Sequence, residues 1–406
     1  MTAVTVADLR VRHAEAAAGL PYRHVDDFLI GGEARPAGEG PRGSVVDPAT
    51  GQAWGSVPDA GAEAVDAAVA AARAALPGWA ATAPSERATA LRRMADAVER
   101  RADLLAVTNT LENGSPLAET RGAAANAAGI LRVFADMAWF LEDPDVRAFP
   151  NGVDETVVAR DPIGVCALIA PWNFPINLVV IKLAPALLAG CTVVLKPAPT
   201  TPLSIRFLVD AAVEAGIPGG VVNLVTGGAD TGDALVRHPG IDKVAFTGST
   251  PVGRRIAAIC GELLRPVTLE LGGKSSAIVL PDADLDAISQ ILVRSCLRNT
   301  GQTCYISTRI IATPANYDAV VAMAAATIGA APVGDPLEAT TVFGPLASVA
   351  QRDRVQGYVR AGVAEGAVAV IGGDVAPPIE GGAFLAPTVF AGVRPGMTIA
   401  REEIFG

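Results

Sequence analysis

Short, mostly apolar runs alternate with longer helical ones through the middle of the chain. The runs at 165–170, 193–195, 221–225, 243–246 and 267–269 predict strands buried on both faces. Between them, 177–189 and 202–215 carry apolar residues at helical spacing, the second ending at Gly216. Strands alternating with helices predict an α/β fold built on a parallel sheet, and such sheets bind ligands beyond the carboxyl ends of their strands. Those ends are polar here. Asn173 follows the first run, Lys196 the second, Thr247-Gly248-Ser249 the fourth and Glu270 the fifth.

The flanks read differently. Residues 1–20 predict a short polar helix, and 28–32 and 45–51 predict strands or turns of an N-terminal arm. Val65, Val69 and Leu76 mark one stripe of a helix that starts near Ala60 and ends at Pro77-Gly78. A second helix follows Pro84 with Ser85 as its N-cap, and an alanine-rich third covers 117–141. Pro144, Pro150, Asn151 and Gly152 precede Thr156-Val157-Val158, so 143–160 predicts a protruding strand pair. Past a boundary at Glu270–Lys274, strands at 276–280, 308–312 and 368–371 and helices at 285–297, 314–326 and 348–365 predict a second α/β unit.

Composition narrows the function. A chain of 406 residues implies two or three domains, and 50% hydrophobic against 18% charged residues implies that they are globular. A net charge of −10 argues against nucleic acid or an anionic membrane as a partner. Five cysteines at wide spacings, with no Cys-x-x-Cys, point away from disulfides and structural zinc and towards a reducing compartment. Three histidines leave little for a metal site, so none is expected. The charged N-terminus is no signal peptide, and no run of about 18 apolar residues is free of charges and breakers. A cytoplasmic protein is expected.

Asn299-Thr300-Gly301-Gln302-Thr303-Cys304 is a polar turn between a helical and a strand-like run. A thiol on such a turn is placed as a nucleophile is, although a lone cysteine is more often a small buried hydrophobe. Glu270, flanked by Leu269 and Leu271, is expected to be partly buried or paired, and burial would raise its pKa towards that of a general base. Asn173 is either an oxyanion donor or an Asx turn. Gly248, Ser249 and Gly253 let backbone N–H groups approach a phosphate at a helix N-terminus, or simply form a tight turn. Lys196 alone reads as a solvated loop lysine.

Together these residues carry a resemblance. Pro171-Trp172-Asn173-Phe174-Pro175, Lys196-Pro197-Ala198, Phe246-Thr247-Gly248-Ser249, Leu269-Glu270-Leu271-Gly272-Gly273-Lys274, Gly301-Gln302-Thr303-Cys304 and Glu402-Glu403-Ile404-Phe405-Gly406 stand in the order and spacing of the NAD(P)-dependent aldehyde dehydrogenase superfamily. The chain resembles that family from about Asp27 to Gly406. The resemblance implies a Rossmann-type cofactor domain (1–142 and 161–269), an oligomerisation hairpin (143–160) and an α/β catalytic domain (270–406). It implies that Cys304 attacks an aldehyde, that Asn173 and the Cys304 backbone N–H hold the oxyanion, and that Glu270 activates the water that hydrolyses the thioester. Lys196 and Ser249 would contact the cofactor's ribose and phosphates, with Gly248, Gly253 and Trp172 beside them. Glu403 would hold the nicotinamide ribose and Phe405 pack beside the ring. The cofactor is NAD in preference to NADP, with Pro199, where many NAD-preferring members place a Glu, leaving NADP open.

Family members continue past the Glu402–Gly406 motif, so the sequence reads as C-terminally incomplete. A homodimer or homotetramer is expected if the missing tail is present. A CoA-acylating relative, which commonly lacks the glutamate base, and a catalytically inactive truncated homologue are the alternatives. Ile176, Leu178 and Ile181 would line an apolar approach to the thiol, whereas Arg298 and Tyr305 would bind a polar or acidic group; Arg298 otherwise reads as a solvated helix end.

Overall fold

The computed structural model describes residues 5–23 and 25–406, so residues 1–4 of the expected N-terminal helix lie outside it. Thr5 caps a helix at Val6–Ala18, its hydroxyl accepting from Asp8 N while the Asp8 carboxylate reaches back.

The central sheet has seven strands: β1 (Asp27–Ile30), β2 (Glu33–Pro36), β3 (Val165–Ile169), β4 (Thr192–Lys196), β5 (Val222–Leu224), β6 (Lys243–Thr247) and β7 (Val267–Glu270). Their spatial order is β7-β6-β3-β4-β5-β1-β2. The five strands from β7 to β5 are parallel, β1 adds antiparallel to β5, and β2 pairs antiparallel with β1. The 27–30 segment therefore extends the main sheet instead of forming a separate arm.

Side-chain alternation along the strands builds two cores. Cys166 and Leu168 face helices Pro84–Glu99, Ala123–Asp136, Pro175–Leu188 and Leu203–Glu214. Val165, Ala167 and Ile169 face helices Ala62–Ala81, Ala229–Arg237 and Thr250–Glu262. All five residues of β3 and all five of β4 are buried, which is why these runs contain no alternating polar positions. The chain leaves β3 towards β4 and leaves β6 towards β7, in opposite directions across the sheet. The crevice between the ends of β3 and β6 is thus the topological switch point where this kind of sheet binds ligands.

Several boundaries differ from expectation. The first long helix runs through Pro77 to Ala81. The proline removes one backbone bond, while Trp79, buried and donating Nε1–H to Leu187 O at 3.1 Å, holds the last turn. The next helix begins at Pro84, with Ala83 and not Ser85 at the cap; proline suits the first helical position because that N–H would have no partner. The 117–141 run is three helices, Leu117–Thr120, Ala123–Asp136 and Trp139–Glu142. The helix expected at 314–326 lies at Tyr317–Gly329, because Asn316 Oδ1 accepts from Thr313 N and closes a turn first.

Strands Asp145–Ala148 and Glu155–Val158 form the expected protruding hairpin. The second α/β unit pairs Ser276–Val279 in parallel with Arg309–Ala312 under helices Leu285–Cys296 and Tyr317–Gly329. His13, on the first helix, bridges Asp47 of the N-terminal region and Asp335 of this second unit. No helix among the described residues is long and apolar enough to cross a membrane.

Candidate active site

The 299–304 turn is built from unusual backbone. Asn299, Thr300 and Gly301 have φ of 53°, 54° and 79°, three consecutive left-handed residues. A Cβ on Gly301 would fall on the backbone of Gly406, so only glycine fits there. Side chains hold the turn in place. Asn299 Nδ2 donates to Asn173 O at 2.9 Å, and Asn173 Nδ2 donates to Gln302 O at 2.9 Å. Ser115 Oγ donates to Asn299 Oδ1, Asn113 Nδ2 donates to Trp172 O at 3.2 Å, and Gln302 Oε1 accepts from Ala347 N at 2.9 Å. The loop after β3 and the cysteine turn are thereby locked together.

Cys304 is half-buried and the other four cysteines are buried. Its thiol is pushed above its ordinary pKa by burial and by the charges of Glu403 and Glu270, against a lowering contribution from Lys182. Asn173 is buried and makes no Asx turn; one amide N–H orients it on Gln302, which leaves the second for an oxyanion.

Lys182 was not singled out by the sequence, where it is the lone charge in an otherwise apolar helix. Its Nζ donates to Leu178 O at 2.9 Å and to Thr247 Oγ1 at 2.6 Å. Burial lowers its pKa to about 8 against the opposing charges of Glu270 and Cys304, so all three groups lie within electrostatic reach of one another.

Glu270 departs from expectation. It is exposed and has neither an ion pair nor a side-chain hydrogen bond among the described residues. It ends β7, the edge strand of the sheet, so no further strand covers it. Lys196 departs the other way. It is 5% exposed, bonds Pro197 O at 3.1 Å, and is lowered to about 8 by burial, with Asp59 opposing, so it is no solvated loop lysine. Arg298 is likewise no solvated helix end. It is half-buried, pairs with Glu119 at 2.9 Å, donates to the Tyr305 hydroxyl, and lies 5.1 Å over the Phe174 ring. Ile176 is buried in the core, while Ile181 is half exposed.

The strand-to-helix turn after β6 fits a phosphate-bearing ligand. Ser249 caps helix Thr250–Glu262 without using its hydroxyl for capping, and it is exposed. A Cβ on Gly248 would meet the Phe246 ring and one on Gly253 would meet Leu271, so both glycines keep the turn close to the sheet. Glu403 lies against Gly272, where a Cβ would collide with its carboxylate, and accepts from Gly273 N at 3.4 Å. Burial raises its pKa. Phe405, held by Gln351 Nε2 on its carbonyl at 2.7 Å, meets Trp172 edge-on with ring centroids 5.4 Å apart. Among the described residues no group of His, Cys, Asp and Glu is arranged to hold a metal ion.

Known proteins share this fold. A model of the aldehyde dehydrogenase family matches residues 36–406. The geranial dehydrogenase of Castellaniella defragrans is 50% identical over 303 residues, covering 74% of this chain and 63% of its own length. The aligned part spans less than two thirds of the length of curated relatives that it matches, from 61% to 63%. A Mycobacterium tuberculosis aldehyde dehydrogenase complexed with NAD+ superposes with a TM-score of 0.91 at 43% identity, over 95% of this chain and 80% of that one. An Escherichia coli NADP-dependent enzyme superposes with a TM-score of 0.90 at 38% identity, over 94% and 79%. With a family match over most of its length, this chain belongs to the aldehyde dehydrogenase family.

Proposed function

We propose that the protein oxidises an aldehyde to a carboxylate with NAD(P)+ and water through covalent attachment to Cys304. The observation that carries this is the junction of Asn173 with the cysteine turn, in which the amide is fixed 2.9 Å from Gln302 O, two residues before the thiol. Cys304, as thiolate, adds to the aldehyde carbon, and the second Asn173 N–H and the Cys304 backbone N–H take the oxyanion. A bound nicotinamide would supply the hydride acceptor that the oxidation of this adduct to a thioester requires. The thioester that remains on Cys304 is opened by water, whose proton passes to Glu270, and the carboxylate leaves with the thiolate restored. The exposure of Glu270 suits this step, since its carboxylate meets solvent and has no competing partner among the described residues. Lys182 supplies a cation beside the thiol and the base.

Lys196, Gly248, Ser249 and Gly253 would hold the cofactor's ribose and phosphates, Glu403 the second ribose, and Trp172 and Phe405 the ring. NAD is preferred to NADP, although Pro199 puts no carboxylate near the ribose to repel a 2′-phosphate. Glu270 argues against the CoA-acylating alternative. Exposed Val146, Phe149, Val153 and Val157 on the hairpin favour pairing between copies as a dimer or tetramer; a monomer by light scattering would remove that assignment.

The test is reduction of NAD+ or NADP+ with a simple aldehyde. Turnover lost in Cys304→Ala and independent of CoA is the expected result. An unaffected Cys304→Ala enzyme, or an absolute need for CoA, would overturn the hydrolytic mechanism.

A further inference from the structure

A polar cavity of about 250 Å³ opens beside the cysteine turn, walled by Glu119, Asn126, Phe174, Asn177, Arg294 and Arg298. Its walls are chain neighbours of the reacting groups. Phe174 follows Asn173, and Asn177 lies on the helix that Phe174 caps. Arg298 O accepts from Thr303 Oγ1 at 3.0 Å, and its guanidinium reaches the hydroxyl of Tyr305, the residue after Cys304.

The charges in this wall do not cancel. Glu119 is taken up by Arg298, with Nε and Nη2 each 2.9 Å from the same carboxylate oxygen. Arg294, at the end of helix Leu285–Cys296, makes no hydrogen bond or ion pair among the described residues. Arg294, an exposed residue, thus lines a polar cavity with no charge partner among the described residues, on a chain of net charge −10. Asn177 also lines the cavity, with its Oδ1 buried and unpartnered among the described residues. Its Nδ2 carries two N–H donors of the kind that a carboxylate accepts from.

We infer that this cavity takes the far end of the substrate, and that the substrate class is an aldehyde bearing a carboxylate at its other end. Arg294 is the charge partner of that carboxylate, and Asn177 and Asn126 supply hydrogen bonds. The pairing of Arg298 with Glu119 keeps that side chain as a fixed, stacked wall over Phe174. The inference rests on the aldehyde-oxidation reading above, because it places the carboxylate relative to Cys304.

The test compares glutarate semialdehyde with pentanal, which has the same carbon count and no carboxylate, in the full chain and in Arg294→Ala. The semialdehyde is expected to have the higher kcat/KM, through KM. In Arg294→Ala the ratio of the two specificity constants should fall about tenfold, the loss of one modest charge-assisted contact. Calorimetry with glutarate gives a readout that needs no turnover: the full chain should bind it, and Arg294→Ala about tenfold more weakly. A ratio that favours pentanal and does not move in Arg294→Ala, or glutarate binding indifferent to Arg294, overturns the carboxylate site. Arg294-dependent glutarate binding without oxidation of either aldehyde overturns the aldehyde reading and leaves the anion site standing.

Discussion

Replacing His13 by Gln tests how the N-terminal helix joins the two halves of the molecule. His13 is 4% exposed and sits between two buried carboxylates, with Nδ1 2.7 Å from Asp47 and Nε2 2.8 Å from Asp335. Burial alone would lower its pKa. The hydrogen bonds and charges of Asp335 and Asp47 outweigh burial and raise it to about 9 from an ordinary value of 6.5. A group whose folded pKa is raised stabilises fully below its unfolded pKa, and that stabilisation is lost as pH rises through the folded value. Below pH 6.5 both states carry the proton. Between 6.5 and 9 only the folded state keeps it, so stability falls with pH. At 1.36 kcal/mol per unit, a rise from 6.5 to about 9 is worth about 3 kcal/mol. The assay is urea denaturation of both proteins at intervals from about pH 6 to 10. The stability advantage of the parent over His13→Gln should shrink by about 3 kcal/mol across that range. An advantage that stays constant with pH would refute the reasoning, since it would mean that His13 binds its proton no more tightly in the folded protein than in the unfolded chain.

Glu112 should behave in the opposite sense to an ordinary paired carboxylate. Burial raises its pKa to about 8, with N–H donors of Leu203 and Ser204 opposing, so the folded protein keeps a proton that the unfolded chain releases from about pH 4.5. Stability should therefore decline by roughly 5 kcal/mol between those values, and Glu112→Gln should flatten that part of a denaturation–pH profile. Lys182→Met removes the cation that lowers the thiol's pKa, so iodoacetamide should alkylate Cys304 about threefold more slowly at pH 8; an unchanged rate would detach Lys182 from the thiol.

The alternation of apolar runs was enough to place β3, β4, β5, β6 and β7 within a residue or two, most plainly at β3 and β4, where burial on both faces leaves no alternating polar positions. The ends of those strands were legible for the same reason: Asn173, Lys196, Ser249 and Glu270 break an apolar text. Their environments were less so. Lys196 sits at a strand end like many solvated lysines, and its burial depends on what packs over it. Glu270 has the flanks of a buried residue but lies on an edge strand, and edge or centre is decided by strand order. The network of Asn113, Ser115 and Asn299 joins positions 59 to 184 residues apart, which no local pattern records. Pro77 showed that a breaker yields when a well-packed residue such as Trp79 lies beyond it.

The central claim is that Cys304 carries the substrate as a thioester that Glu270 then opens. Rapid mixing of the Glu270→Gln protein with aldehyde and NAD(P)+, followed by mass analysis of the Cys304 peptide, tests it most directly. The account predicts one equivalent of reduced cofactor per subunit, a stall, and an acyl group on Cys304. Continued turnover at the parent rate with an unmodified Cys304 peptide would contradict it.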